Sequence, residues 1–186
     1  ATQSQTTATT FCHIHGSLAL WNGPNGYQIF VWGENDYLKS YQFLPSEKFS
    51  TTPLSRSTMT APLKTMPGGA LSVSANGSQN GIVWSNTRID ANSPIHGIIR
   101  AFDANNLAHE LWNSEQNSGR DSIGLFAKFV PPTIVNGKVY MPSFSGELVV
   151  YGLNPTNTGS NTITVVSPQP NTSVMLPLQI RATGQA

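Results

Sequence analysis

The chain has 186 residues and a mass of 20.0 kDa, enough for one well-buried domain but not for two large ones. Ten Lys and Arg against nine Asp and Glu leave a formal net charge of +1 with no basic stripe, which sets nucleic acid aside as a partner. Only 10% of residues are charged, against roughly 25% in an ordinary soluble protein, and Ser, Thr, Asn and Gly fill the deficit as on exported, extracellular or periplasmic proteins.

Taken in chain order, the Thr-rich start "TQSQTTATTF" reads as a strand without neighbours. Cys12 is the only cysteine, so an internal disulfide and a multi-cysteine zinc site are excluded, and a free thiol or a link between chains is left. "SLALWNG" and "YQIFVWG" then form a strand pair around Asn25-Gly26, followed by a third strand, "DYLKSYQF", and a candidate fourth, "KFSTTPLS". The same order returns in "ALSVSANG", "IVWSNT", "GIIRAFDA" and "AHELWNS", where Trp112 is placed to cover a sheet face. It returns once more in "PPTIVNG", "KVYMPSF" and "GELVVYGL", this time without a fourth strand. Gly26, Gly81 and Gly137 lie 55 and 56 residues apart, each after an Asn, and Asn-Gly supplies the positive φ angles of a tight hairpin. The third strands align at Leu38, Ile99 and Leu148, with Tyr41, Phe102 and Tyr151 three positions on. Helical spacing is almost absent, and the 16 Gly and 13 Pro interrupt every candidate. No apolar run approaches the roughly 20 residues that a membrane-spanning helix needs. Residues 154–161, "NPTNTGSN", read as a polar linker, and residues 162–186 as two further strands.

The predicted fold is therefore all-β. Four-stranded antiparallel units recurring every 40 to 60 residues or so are how β-propeller blades are written, and residues 1–153 hold about three of them. A two-layer sandwich is the competing architecture, although it gives no reason for an aligned aromatic in each third strand. Three blades do not close a ring of about four to eight, so the remainder is expected from a second copy in a 3+3 homodimer or from a longer parent protein. The N-terminal strand is expected to complete the last blade, in the same chain or in its partner.

"NGKVYMPSFSGELVVYGL" and "GIIRAFDANNLAHELW" resemble the pyrroloquinoline-quinone-type repeat of bacterial β-propellers, whose pattern runs Gly-x-Val-Tyr, a Gly turn, Leu-Tyr-Ala-hydrophobic-Asp and a later Trp. "GYQIFVWGENDYLKSYQF" matches it more weakly, and the likeness covers roughly Phe11 to Leu153. More narrowly, "HIHGS", "GENDYLK" and "AKFVPPTIVNGKVY" look like the C-terminal blades of large secreted propeller proteins of environmental bacteria. Residues 162–186 resemble the first strands of a bacterial immunoglobulin-like module. The resemblance implies the fold and an exported setting but not the quinone, because quinoprotein dehydrogenases close that site with adjacent cysteines and an acid-bound calcium, and this chain has one cysteine.

In blade topology the loops leading into the first strands and those joining second to third strands share one face. That face is expected to gather His13, His15, Glu34, Asp36, Asp90, His96, Arg120, Asp121 and Lys128. Residues two apart in an extended segment point to one side, so His13 and His15 are candidate ligands of one metal ion, Ca2+ or Zn2+, with Asp36 or Asp121 completing the set. A metal-bound water there would attack a small ester, lactone or phosphoester. The alternative is that both histidines hydrogen-bond backbone. Arg120 and Asp121 read as an anion clamp or as a structural ion pair, and Lys128 as an axial cation or as the partner of a nearby acid. Asp103 in "DANN" reads as an Asx-turn former. Ser17 and Ser122 lack a nucleophile-elbow context. Two functions follow as expectations: a non-catalytic binding or scaffold module, or a metal-assisted hydrolase using His13, His15, Arg120, Asp121 and Lys128 at the channel mouth.

Overall fold

A computed structural model describes residues 13–63, 68–90, 92 and 94–153, and the backbone of 163–167 and 181–184. The predicted N-terminal strand, Cys12 and the linker 154–161 lie outside the described residues. The protein is all-β, with antiparallel sheets and, among the described residues, one short helix. The chain divides into Ala1–Gly152 and Leu153–Ala186.

Sheet 1 contains β1 (Ala19–Gly23), β2 (Gly26–Trp32), β3 (Tyr37–Gln42) and β4 (Ser55–Thr60), side by side in that order. Sheet 2 repeats the order with β5 (Ala70–Asn76), β6 (Gln79–Arg88), β7 (Gly97–Asp103) and β8 (Asn106–Asn113). The helix α1 (Ser118–Asp121), which no sequence signal announced, leads to sheet 3, formed by β9 (Thr133–Val135), β10 (Lys138–Pro142) and β11 (Leu148–Gly152). Among the described residues sheet 3 stops at three strands. In the C-terminal unit β12 (Ile163–Ser167) pairs antiparallel with β13 (Arg181–Gly184), with a register shift between Val165 and Ser167.

Of the three Asn-Gly pairs spaced 55 and 56 residues apart, Asn25-Gly26 and Asn136-Gly137 sit at hairpin turns. Gly23 pairs with Gly26 around Pro24-Asn25, and Val135 pairs with Lys138 around Asn136-Gly137, both of positive φ. The middle pair does not. Asn76 pairs with Gln79, so the turn is Gly77-Ser78, while Asn80 (φ 53) and Gly81 lie inside β6, beside a register shift in β5. Asn-Gly marks a bend wherever positive φ is needed, and here it marks a bulge. Gly81 has a second reason: a Cβ there would lie 2.7 Å from the Trp21 ring and 2.9 Å from the Ala104 Cβ. Trp21 is held over this spot by its indole N–H, which donates to the Gly77 carbonyl at 2.9 Å.

The three sheets stack with one repeated logic. In the register of second and third strands, Trp32 faces Leu38, Asn86 faces Ile99 and Pro142 faces Leu148. Side chains alternate across a strand, so these positions belong to one face of each sheet and their neighbours to the other. The Trp32–Leu38 face of sheet 1 packs on the Val83–Phe102 face of sheet 2, with Phe30, Trp21, Leu71 and Leu107 in the same buried cluster. The opposite face of sheet 2, carrying Ile99, Trp84 and Trp112, packs on Met141 and Tyr151 of sheet 3 through Ile123. Trp112 and Tyr151 meet edge to face at 5.3 Å. Trp112 thus covers a sheet face, as its spacing predicts.

Among the described residues nothing packs on the two outermost faces. On sheet 1, Leu18 is 53% and Leu20 58% exposed; on sheet 3, Leu148 is 61% and Val150 46% exposed. The aligned positions record this. Leu38 and Ile99 are fully buried and Leu148 is not, whereas Phe102 is fully buried and Tyr41 is not. First strands neighbour first strands, β1 against β5 and β5 against β9, and the outer strands β4 and β8 also meet. The Ser55 hydroxyl accepts the Leu107 N–H at 2.9 Å across that outer contact. Leu18 to Leu20, Leu71 to Val73 and Pro131 to Ile134 line a shallow open groove of about 460 Å3 along the first strands. Among the described residues no helix is long and apolar enough to cross a membrane.

Candidate functional site

The segment before β1 is laid across the ends of sheets 1 and 2 and fastened at several points. The Ser17 hydroxyl donates to the Leu71 carbonyl at 2.8 Å and accepts the Leu71 N–H at 2.9 Å, so this serine is fully used as a brace. Gly16 allows the close approach behind it: a Cβ would stand 1.9 Å from the Gly69 carbonyl oxygen. Further back, the Glu34 N–H donates to the His13 carbonyl at 2.9 Å. Glu34 itself follows β2 in a loop tied to Ala61 by a parallel bridge and by the Asn35 N–H, which donates to the Ala61 carbonyl at 3.1 Å. Asn35 takes a φ of 54 to make that turn.

This weave sets a buried carboxylate against an accessible imidazole. Glu34 Oε2 lies 2.7 Å from His13 Nδ1; the Glu34 side chain is 1% exposed and that of His13 is 47% exposed. The His15 ring stands 5.4 Å from the His13 ring, tilted by 38°, and meets the edge of Phe129 at 6.1 Å. Phe129 is itself exposed and adopts a φ of 62 in the loop leading to β9. His13, His15, Glu34 and Phe129 are therefore brought together from three parts of the chain.

The other expected members stay apart from that group in their bonding. Asp36 is engaged by its own loop: Oδ1 accepts the Tyr37 N–H at 2.8 Å and Oδ2 the Lys39 ammonium at 2.6 Å. The carboxylate on His13 is thus Glu34 rather than Asp36. Arg120 and Asp121 bind each other through two bonds of 2.6 and 2.7 Å, and the Asp121 carbonyl accepts the Tyr151 hydroxyl at 2.7 Å. Asp90 is closed by Asn92, whose backbone and side-chain N–H groups reach its two oxygens. His96 is exposed and forms a backbone bridge with Leu125. Lys128 is exposed and has no ion-pair partner among the described residues. Asp103 caps its turn as predicted, accepting the Asn105 N–H at 2.9 Å. Among the described residues no three His, Cys, Asp or Glu side chains converge as direct metal ligands.

Sequence reasoning expects Glu34 in the same cluster as His13 and His15 but names Asp36 or Asp121 as the acid beside them, and nothing in the sequence points to Phe129. The Glu34–His13 pairing and the Phe129 contact depend on long-range crossings that local spacing does not encode.

Arg120 and Asp121 shift each other's pKa in opposite directions. The guanidinium hydrogen bonds hold the Asp121 carboxyl below its ordinary range, although burial pushes the other way, and Asp121 in turn raises Arg120. Burial, and then the Asp121 charge, push the Tyr151 phenol up. A carboxyl depressed in the folded state stabilises the fold above its unfolded value near 3.9, and that contribution is lost as pH falls through the lower folded value. Arg120→Ala is expected to raise the Asp121 pKa toward its ordinary value in a carbon-13 carboxyl titration, and to shift acid unfolding to higher pH. An unchanged Asp121 titration would show that the pair does not form in solution. No family model, no curated protein and no solved structure matches the chain.

Proposed function

We propose that the three sheets are successive blades of a β-propeller of the pyrroloquinoline-quinone-repeat type, without the quinone, and that the protein is an exported, non-catalytic binding or scaffold module. The observation that carries this reading is the repeated stacking: each sheet presents its Trp32-equivalent face to the next, and the first strands run beside one another. A two-layer sandwich does not have a middle sheet covered on both faces. The ionic groups of the expected channel mouth mostly serve as braces, Arg120 with Asp121 and Asp36 with Lys39, which favours a scaffold over a catalyst.

Two exposed apolar faces at opposite ends of a stack are association surfaces. The relation that carries sheet 1 onto sheet 2 and sheet 2 onto sheet 3 would carry sheet 3 onto sheet 1 of a second copy, and two such contacts close a six-bladed ring. Light scattering is expected to give twice the 20.0 kDa chain mass, and Val150→Arg on the uncovered face of sheet 3 to return it to one chain. A monodisperse single-chain mass at high concentration rejects the 3+3 ring. An activated ester and a lactone are expected to survive incubation with the protein. Chelator-sensitive turnover that disappears in His13→Ala would replace the scaffold reading with a metal-assisted hydrolase.

A further inference from the structure

One ionisable cluster is arranged as a receptor rather than as a brace, and it is independent of how the sheets close. We infer that His13 and His15 chelate one borderline divalent transition-metal ion, Zn2+ in the test below, with Glu34 as the positioning residue that aims the His13 ring.

A carboxylate only accepts, so a neutral His13 beside Glu34 carries its hydrogen on Nδ1 and leaves the Nε2 lone pair free. Metal-bound histidines are commonly oriented in this way, by a carboxylate on the nitrogen that does not bind. Glu34 is shut away from solvent while the His13 ring is about half exposed, so the imidazole is the half of the pair that an ion reaches.

The spacing of the two rings fits the same ion. Two imidazoles bound tetrahedrally to zinc, with Zn–N bonds of about 2.0 to 2.1 Å, have ring centroids about 5.2 Å apart. The centroids here are 5.4 Å apart. The two rings lie beside each other, and the segment that carries them is pinned on both flanks, by the Glu34 N–H at His13 and by Ser17 on Leu71. The Phe129 edge limits the swing of the His15 ring. An ion held there keeps further coordination positions for water or an incoming ligand atom. Imidazole nitrogens favour Zn2+, Cu2+ or Ni2+ over Ca2+, which takes oxygen ligands, so the ion is of the first kind.

The test is a Zn2+ titration of the tag-free full chain by calorimetry, together with nitrogen-15 spectra of the histidine rings. One Zn2+ per chain is expected, with the His13 and His15 ring resonances shifting together and His13 Nδ1 remaining protonated. His15→Ala, which removes an exposed ring, is expected to abolish this binding with an unchanged circular dichroism spectrum. Glu34→Gln is expected to weaken it by about 10- to 100-fold and to lose the Nδ1–H preference of His13. If Glu34→Gln does not fold, the His15→Ala result and the tautomer of His13 in the unaltered chain decide the matter. His96→Ala and Cys12→Ser are expected to bind as the parent does. Zn2+ binding that survives in the His13→Ala, His15→Ala double variant, that vanishes in Cys12→Ser, or that is absent from the parent chain overturns the inference.

Discussion

Asn86→Asp is expected to cost about 3 to 5 kcal/mol at neutral pH, although the two side chains have the same shape. Asn86 is fully buried in β6, and its amide nitrogen donates to the Ala127 carbonyl at 2.9 Å and to the Val130 carbonyl at 3.0 Å. Those two bonds fasten the loop leading to sheet 3 onto sheet 2. A carboxylate in the same place has no proton to give, so two carbonyl oxygens lose their donor and face a buried negative charge. The pH dependence gives a second signature. Burial raises the folded-state pKa of such an acid, so the variant is closest to the parent below the unfolded value near 3.9 and loses stability as pH rises through the folded value. Urea unfolding of parent and variant between pH 4 and pH 8 measures the difference. A loss below about 1 kcal/mol at pH 7, or one that does not vary with pH, means that Asn86 does not hold residues 127–130.

Asn86 also shows where the sequence stops being readable. Its position is predictable, since it stands in β6 opposite Ile99 as Trp32 stands opposite Leu38 in sheet 1. Alternation, turn residues and the aligned third strands are local signals, and they place the described strands of the three sheets in order except β4, which lies at Ser55–Thr60 rather than at the expected "KFSTTPLS" of residues 48–55. The job of Asn86 is not local: its partners lie 41 and 44 residues away. The misplaced turn at Asn80-Gly81 has a different origin, because a bulge and a hairpin turn ask for the same positive φ and the dipeptide does not say which it serves. The candidate site divides in the same way. The shared side of His13 and His15 follows from their spacing. The choice between Glu34 and Asp36 as the neighbouring carboxylate depends on how the loop after β2 is tied to Ala61, and two acids two residues apart give no hint of that. Arg120 and Asp121 are legible as a pair, and they engage each other through two hydrogen bonds.

Phe102→Ala is expected to cost about 3 to 5 kcal/mol, measured by urea unfolding. Phe102 is fully buried between sheets 1 and 2 and meets Trp32 edge to face, with ring centroids 5.7 Å apart and planes at 82°. Its removal deletes a large apolar side chain from that contact and leaves a cavity that two hydrogen-bonded sheets do not collapse to fill. Part of the loss, about 0.5 to 1.5 kcal/mol, belongs to the aromatic pair beyond its buried area, and a double cycle with Trp32→Leu isolates it. The informative control is Tyr41→Ala. Tyr41 occupies the same position of its third strand as Phe102 but lies on the outer face of sheet 1, half-buried, with no preceding sheet against it among the described residues. In an isolated chain its truncation should therefore cost far less than that of Phe102. If a second copy covers that face, the Tyr41→Ala penalty grows with protein concentration, because dimer dissociation becomes part of unfolding, while the Phe102→Ala penalty does not. Equal penalties for the two positions at all concentrations would contradict a stack in which only sheet 2 is covered on both sides.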